Sequence, residues 1–476
     1  MNAVQRLNLP RNLLTWAMAA IVLMAAAYFG SHVSLRWLVL VVVGLGAVAL
    51  LRQPVLGLLG LIILALIVPT YFGTGTEVGL YPVALLTPVM LVVWLLNLLR
   101  QRNLRWASSS VNKPLLIFLV AGLFSLLIGI VFWDPAVPRS GNFTVVQLAQ
   151  WAIFAFSAFA FWLMGNLVHE EFWLRRLTFF YLALAGTLAV LRVMPGGSRL
   201  TDHIATYGIN EAPFWLLLGA VAGGQLLFNR ELTMRWRIFL LIVVGAVLLF
   251  AFVIQRKTLS HLAGVAPALG MLVWLRWPRL RPLWMILGVL SLTVFFSVIY
   301  QFAGGDAEWD ESGGSRLVLY ERVVEVTMRN PITGLGPAAY RLYARMRPLP
   351  YGRALWVVPQ VNSHNNYVDL FSHVGVVGLA LFFWFAVELF RLGFRLRPRF
   401  TQGFAAGYVN SMLATWAGAL IVMLFADWIL PFVYNIGFLG FQASVLVWLF
   451  LGGLITLEQV ARQKANGNRE ANGSRD

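Results

Sequence analysis

A neutral imidazole accepts a proton near pH 7, with an unperturbed pKa of about 6.5, so the chemistry open to this sequence begins at its histidines. His364 stands in Val361–Leu379, VNSHNNYVDLFSHVGVVGL, where a long polar connection turns into an apolar run. Asn365 follows it, nine residues separate Asn365 from Gly375, and two more separate Gly375 from Gly378. The spacing predicts His364 and Asn365 at the mouth of a helix, where His364 is either a general base or a polar residue at a membrane boundary. His373 lies on the opposite side of that helix at about 100° per residue, which predicts a structural role. The GVVG that follows is either part of a motif or a pair of small residues permitting close helix packing. Arginine supplies the second kind of chemistry, a fixed positive charge that can hold two anionic oxygens at once. Arg256 ends an apolar run in AFVIQRKTLSHL with Lys257 and Thr258 beside it. It either snorkels into headgroups or binds an anion at the membrane surface. Arg316 follows the acidic, Gly-rich patch GGDAEWDESGGS. Asp306, Glu308, Asp310 and Glu311 in that patch could be metal ligands, but they read better as a solvated loop. No His and carboxylate spacing resembles a zinc site.

These groups need elements to position them, and the composition says which kind. In 476 residues the chain is 60% hydrophobic and only 12% charged, too apolar for a soluble domain. It reads as an all-α, polytopic integral membrane protein. Its net charge of +17 would suggest nucleic acid in a soluble protein, whereas here the excess of Lys and Arg in cytoplasmic loops accounts for most of it. There are no cysteines, which excludes disulfides and thiolate metal sites. The N-terminal segment reads as a retained first helix, without a convincing cleavage site.

Spans of about 20 apolar residues occur at Leu13–Phe29, Leu35–Leu51, Val55–Tyr71, Val83–Leu99, Leu115–Trp133, Val145–Leu167 and Leu174–Val193. They continue at Ala212–Phe228, Ile238–Ile254, Leu259–Leu275, Leu283–Tyr300, Tyr367–Phe390, Phe404–Phe425 and Ile436–Thr456. This predicts about 12 to 14 transmembrane helices and one large extracytoplasmic loop. With the N-terminus inside, the Arg-rich short connections fall on the inner side at nearly every turn, which predicts cytoplasmic termini and an outer 301–363 loop. The expected organisation is N-terminal helices over 1–198, central helices with the first arginine over 199–300, the loop over 301–363, C-terminal helices from the His motif over 364–457, and a disordered cytoplasmic tail over 458–476. Within the loop, Leu317, Tyr320, Val324 and Met328 have the spacing of an amphipathic helix on the membrane surface, which TGLGP at Thr333–Pro337 then breaks.

Taken in order, IQRKT, GGSRLVLYERVVEVTMRNPITGLGPAAY and SHNNYVDLFSHVGVVGL resemble the signatures of the O-antigen ligase and O-antigen polymerase superfamily. Its members typically carry an arginine at the outer end of a helix, a second arginine early in a large periplasmic loop before an N-P-x-x-G-x-G-P type turn, and then the His motif. RLTDHIATYGINEAPFWLLLG is a weaker echo, with Arg199, Tyr207 and Asn210 before a helix. The likeness covers roughly Arg199 to Phe390, and it departs from the family at Gln255 and Lys257, where Ser and Gly are usual around the arginine.

The resemblance implies a membrane glycosyltransferase in cell-surface polysaccharide synthesis. It would move a glycan from a polyprenyl-pyrophosphate donor to a hydroxyl of a glycan, a lipid A core or another acceptor. The reaction would run on the extracytoplasmic face of the cytoplasmic (inner) membrane. His364 would be the base, with Arg316 and Arg256 holding the diphosphate, and Lys257, Asn365, Arg199, Asn210 and Tyr320 would bind substrate. The implied reaction is inverting and metal-independent, and it calls for no cofactor and no partner beyond the two substrates and the bilayer; nucleic acid is not expected. The ligase, polymerase and protein-glycosylating branches would share these residues. A lipid-linked oligosaccharide flippase or polysaccharide transporter is the rival reading, although it would place polar residues near the bilayer midplane. A scaffold of a secretion complex is a third.

Overall fold

The computed structural model describes residues 46, 49–73, 79–100, 106–256, 258–290, 314–344, 349–351, 354–357 and 363–473. The chain divides into two compact units, Met1–Leu56 and Gly57–Asp476, and the second contains everything discussed below. Among the described residues, eight helices are long and apolar enough to cross a bilayer, and the chain is an all-α, multi-pass membrane protein.

Every apolar run lying wholly within the described residues coincides with a helix. These are α1 (Val55–Leu66), α2 (Pro82–Arg100), α3 (Asn112–Val131), α4 (Phe143–Leu167), α5 (Glu171–Val193), the short α6 (Gly197–Ile204) and α7 (Ala212–Phe228). There follow α8 (Met234–Leu249), α9 (Leu259–Arg276), α10 (Arg281–Leu290), α11 (Gly314–Thr327), α12 (Tyr340–Ala344), α13 (Asn366–Leu396), α14 (Gly403–Phe425) and α15 (Gly437–Gly473). Two small antiparallel hairpins complete the described elements, Phe72–Gly73 with Gly79–Leu80 and Leu349–Tyr351 with Ala354–Val357. The run Leu13–Phe29 lies outside the described residues, as do most of Leu35–Leu51 and the second half of Leu283–Tyr300. So do the acidic residues Asp306, Glu308, Asp310 and Glu311. Helix α1 stops at Leu66, short of the expected Tyr71, because Pro69 lacks an N–H and disfavours helix in the residue before it.

The core is a bundle in which α15 lies along α4, α14 along α7 and α9, and α13 along α3. Small residues allow the close approaches: a Cβ at Gly452 on α15 would collide with the Phe161 carbonyl of α4. Phe385, Trp416 and Trp448 fill the centre, with ring centroids 5.7 to 6.1 Å apart.

One expectation is corrected. The polar stretch from 458 is helical to Gly473. Gln459 Nε2 donates to the Gly165 carbonyl at 2.7 Å and Arg462 Nη1 to the Ser108 carbonyl at 3.0 Å, tertiary bonds that composition alone does not reveal. Helix α11 forms where expected, but its protein-facing residues are Leu319, Arg322, Val323 and Val326, packed toward α13. Val324 and Met328, on the expected apolar face, remain exposed, a position open to lipid. The helix ends at Thr327, ahead of the TGLGP turn, and that turn docks against a break in α13 at Gly375, where φ is +65° and ψ −170°.

Candidate active site

His364 sits at a corner whose neighbours each have a bonding task. Ser363 Oγ donates to Asp369 Oδ1 at 2.7 Å and accepts from the Asn365 N–H at 3.1 Å. Asn365 is the N-cap of α13; its Oδ1 accepts from the N–H groups of Tyr367 and Val368 at 2.9 and 3.3 Å. Its Nδ2 donates to the Leu424 carbonyl at the end of α14, at 3.1 Å. Asn366 exchanges two bonds with the Leu430 backbone, at 2.7 and 3.3 Å. Between these fixed points His364 takes a left-handed φ of +52°, uncommon for a residue with a Cβ and a conformation that surrounding bonds must impose.

The Asn366–Leu430 pair closes α13 onto the loop between α14 and α15, and that loop brings a carboxylate to the histidine. Asp427 Oδ1 lies 3.9 Å from His364 Nδ1, with the aspartate side chain 3% exposed and the histidine 30%. Asn435 Nδ2 donates to Asp427 Oδ1 at 2.8 Å and lies 3.4 Å from His364 Nδ1. The Phe432 N–H donates to Asp427 Oδ2 at 3.2 Å. Burial pushes the Asp427 carboxyl above the usual carboxylate range, against the pull of the His364 charge, the Phe432 N–H and the Asn435 amide. In the tautomer that carries its proton on Nδ1, toward Asp427, the Nε2 lone pair is left for a substrate, and the carboxylate would stabilise the imidazolium once Nε2 is protonated.

The loop also gives Tyr320 and Arg341 to this end of the bundle. Tyr320 Oη reaches the same Leu424 carbonyl as Asn365, at 3.4 Å. The guanidinium carbon of Arg341 lies 4.2 Å from the centroid of Tyr434, the residue before Asn435. Arg322 Nη1 donates to Glu325 Oε2 at 2.6 Å. Burial pushes the Tyr340 hydroxyl up to about 12, and the charges of Arg322, Asp369 and Glu325 also act on it. Arg316 lies in the first turn of α11, one turn before Tyr320; only its backbone is described.

Arg256 belongs to a second group. Helix α8 ends in a π-type turn, Phe250–Ile254, in which the Gln255 N–H bonds to the Phe250 carbonyl at 2.8 Å. Arg256 follows in an exposed turn, and Lys257 lies outside the described residues. Asn210 is tied to this hairpin through its backbone, since His261 Nε2 lies 2.7 Å from the Asn210 carbonyl. The neighbouring Glu211 is buried; desolvation raises its carboxyl to about 7 while the Tyr207 hydroxyl bonded to it pulls the other way. Arg199 is exposed on α6.

The two groups flank one post. Asn365 and Tyr320 hold the Leu424 carbonyl, and two residues earlier Val422 packs so closely on α9 that a Cβ at Gly264 would lie 2.9 Å from its Cγ2. The first turns of α9, where the Arg256 hairpin leads in, and the His364 corner thus meet the same end of α14. Among the described residues no contact joins Arg256 or Arg199 directly to the His364 corner. His373 is buried, with its ring between Phe154 and Phe432 at centroid distances of 5.9 and 5.0 Å. No group of three His, Asp or Glu among the described residues could hold a metal.

Sequence reasoning missed Asp427, Asn435 and the buried Arg341. Asp427 had a signal, for it is the sole charged residue between Arg399 and Glu458, and a lone ionisable group among apolar helices is a functional candidate by cost alone. Asn435 carried none.

A family model described as O-antigen ligase matches residues 214–383, spanning α7 to most of α13 and including Arg256, Arg316 and His364. Arg199, Asn210, Asp427 and Asn435 lie outside the matched span. No curated protein matches the chain. The segment that holds Arg256, Arg316 and His364 is thus similar to the O-antigen ligase family, within an all-helical membrane fold.

Proposed function

We propose that the chain transfers a glycan from a polyprenyl-pyrophosphate carrier to an acceptor hydroxyl on the extracytoplasmic face of the inner membrane, as a ligase or polymerase of cell-surface polysaccharide. The observation that carries this reading is the pairing of His364 with the buried Asp427 at the head of α13, in a chain whose 214–383 segment matches the O-antigen ligase family. The acceptor oxygen attacks the anomeric carbon as its proton passes to His364 Nε2. The bond from that carbon to the diphosphate oxygen breaks, and its electron pair leaves with the polyprenyl diphosphate. Attack from the face opposite the leaving group inverts the anomeric centre. Asp427 keeps the imidazole turned and stabilises the imidazolium, so it is a positioning residue. Arg316 and Arg256 offset the charge that builds on the diphosphate, the task a divalent cation performs elsewhere. Asn365, Tyr320, Asn210, Arg199 and Lys257 border the substrates.

The test is transfer by the purified protein in lipid nanodiscs, with a polyprenyl-diphosphate glycan, a hydroxyl acceptor and excess chelator. The expected result is one polyprenyl diphosphate released per glycan transferred, with the new linkage inverted. A retained configuration, or activity that appears only on adding magnesium or manganese, contradicts the mechanism. Binding of the donor without product under any of these conditions favours the transporter.

A further inference from the structure

A helix interrupted inside a membrane must rehouse its backbone hydrogen bonds, because lipid offers none. Helix α13 is interrupted at Gly375, about 14 Å along its axis from Asn366, and each polar group displaced around the break has a new partner. In an unbroken helix the N–H of Val376 would bond to the Ser372 carbonyl and that of Val377 to the His373 carbonyl. Instead, the Val376 N–H donates to the Pro331 carbonyl at 2.9 Å and the Val377 N–H to the Ile332 carbonyl at 3.2 Å. The abandoned Ser372 carbonyl accepts from the Leu335 N–H at 2.9 Å, and the abandoned His373 carbonyl from Ser125 Oγ of α3 at 2.6 Å. The turn after α11 is therefore spliced into α13.

Glycines make the splice possible. The φ and ψ of Gly375 lie where side chains are not tolerated, and a Cβ there would strike the Ile332 carbonyl oxygen. A Cβ on Gly334, at φ +79°, would lie 2.6 Å from the nitrogens of Val374 and Gly375, and one on Gly129 of α3 would lie 2.5 Å from the Leu335 oxygen. Three elements are thus joined: α11, which carries Arg316; α13, which begins beside His364; and α3.

We infer that the Pro331–Gly336 turn is a re-entrant clamp that sets α11, and with it Arg316, at a fixed distance from His364, so that Gly375, Gly334 and Ser125 are positioning residues for transfer. The inference rests on the transfer reading above. It gives the wide spacing from the histidine to Gly375 a purpose: the break must lie deep enough for the turn to reach α3, yet on the helix that begins at His364.

The native chain has no cysteine, so Ile332→Cys and Val377→Cys can be introduced as a pair, both positions being exposed and the Val377 N–H bonded to the Ile332 carbonyl across the splice. Oxidation should cross-link the pair in the otherwise native protein, read by mass spectrometry, with transfer preserved. Adding Gly375→Ala should abolish the cross-link and lower turnover by about 10²-fold, the cost of a misplacement near 1 Å. Should that variant not fold, Ser125→Ala is the milder probe. It should lower turnover, Ser125→Thr should not, and oxidising the cysteine pair in the Ser125→Ala protein should restore the loss, a redox-dependent rescue that a general stability defect would not show. Native turnover in Gly375→Ala or Ser125→Ala, or an active double-cysteine protein that never forms the cross-link, overturns the clamp. A double-cysteine protein that cross-links but transfers nothing, where the cysteine-free native chain transfers nothing either, refutes the transfer reading itself, and the positioning role with it.

Discussion

The His364 corner and the Arg256 hairpin reach the same end of α14, but they are built to different tolerances. Around His364, Ser363, Asn365 and Asn366 are each bonded at defined distances, and Asp427 is held by both a backbone N–H and the Asn435 amide. Arg256 stands on an exposed turn after a π-type turn, closed within itself by the Thr258–Gln255 bonds of 2.9 and 3.1 Å, and the hairpin's link to the Asn210 carbonyl is made by His261. The difference accords with the proposed roles: proton transfer needs a donor and acceptor placed within a few tenths of an ångström, whereas a diphosphate on a long lipid can be met by a cation that moves with it. Substitutions that preserve shape but remove chemistry should therefore hurt most at the corner, and substitutions that preserve charge should hurt least at the hairpin.

After loss of the base itself, the largest loss should come from Asp427→Asn, which keeps the shape and removes the charge beside Nδ1. It should lower turnover toward the full contribution of a general base, about 10²- to 10⁴-fold, with donor affinity unchanged. Steady-state kinetics with a separate donor-binding titration would check it. Arg316→Lys should cost about 10²- to 10³-fold in turnover, the range for removing one donor aimed at developing charge, because a lysine cannot reproduce a two-pronged hold. Arg256→Lys should stay within about tenfold while Arg256→Ala weakens donor binding and turnover together. Equal losses at Arg256→Lys and Arg316→Lys would erase the contrast between the two regions.

The smallest effect is on stability and belongs to Glu211. Its folded carboxyl titrates at about 7 against an ordinary 4.5, so the folded state holds the proton more tightly than the unfolded one. The stabilisation is full below 4.5 and is lost as pH rises through 7. The thermal midpoint of the native protein should fall across that window, and Glu211→Gln should flatten the fall.

Helices were legible wherever a run of apolar residues was long enough, since the bilayer imposes length and hydropathy together. The place of His364 at the mouth of α13 was legible because its motif crosses a polarity boundary. The partner of His364 was harder: Asp427 shares no motif with it, and only its isolation among uncharged residues marks it. The break at Gly375 left no trace in hydropathy, because the segments on either side remain apolar and its bonds come from Pro331, Ile332, Leu335 and Ser125, distant in sequence. For the same reason the protein-facing side of α11 carried no mark of its own. Leu319, Val323 and Val326 and the spacing Leu317, Tyr320, Val324, Met328 are both helical stripes, and which one meets α13 is set by the splice. His373 reads correctly as structural, but its burial between two phenylalanine rings means that His373→Ala should lose about 2–5 kcal/mol of stability, a cost absent from its motif.

The claim that His364 removes the acceptor proton is tested most directly by single-turnover transfer in His364→Ala, with the donor bound to saturation and the folded fraction measured in the same sample. The account predicts native donor affinity, release of polyprenyl diphosphate slowed by about 10²- to 10⁴-fold, and His373→Ala turning over normally per folded molecule. Full transfer by a folded His364→Ala protein would contradict it.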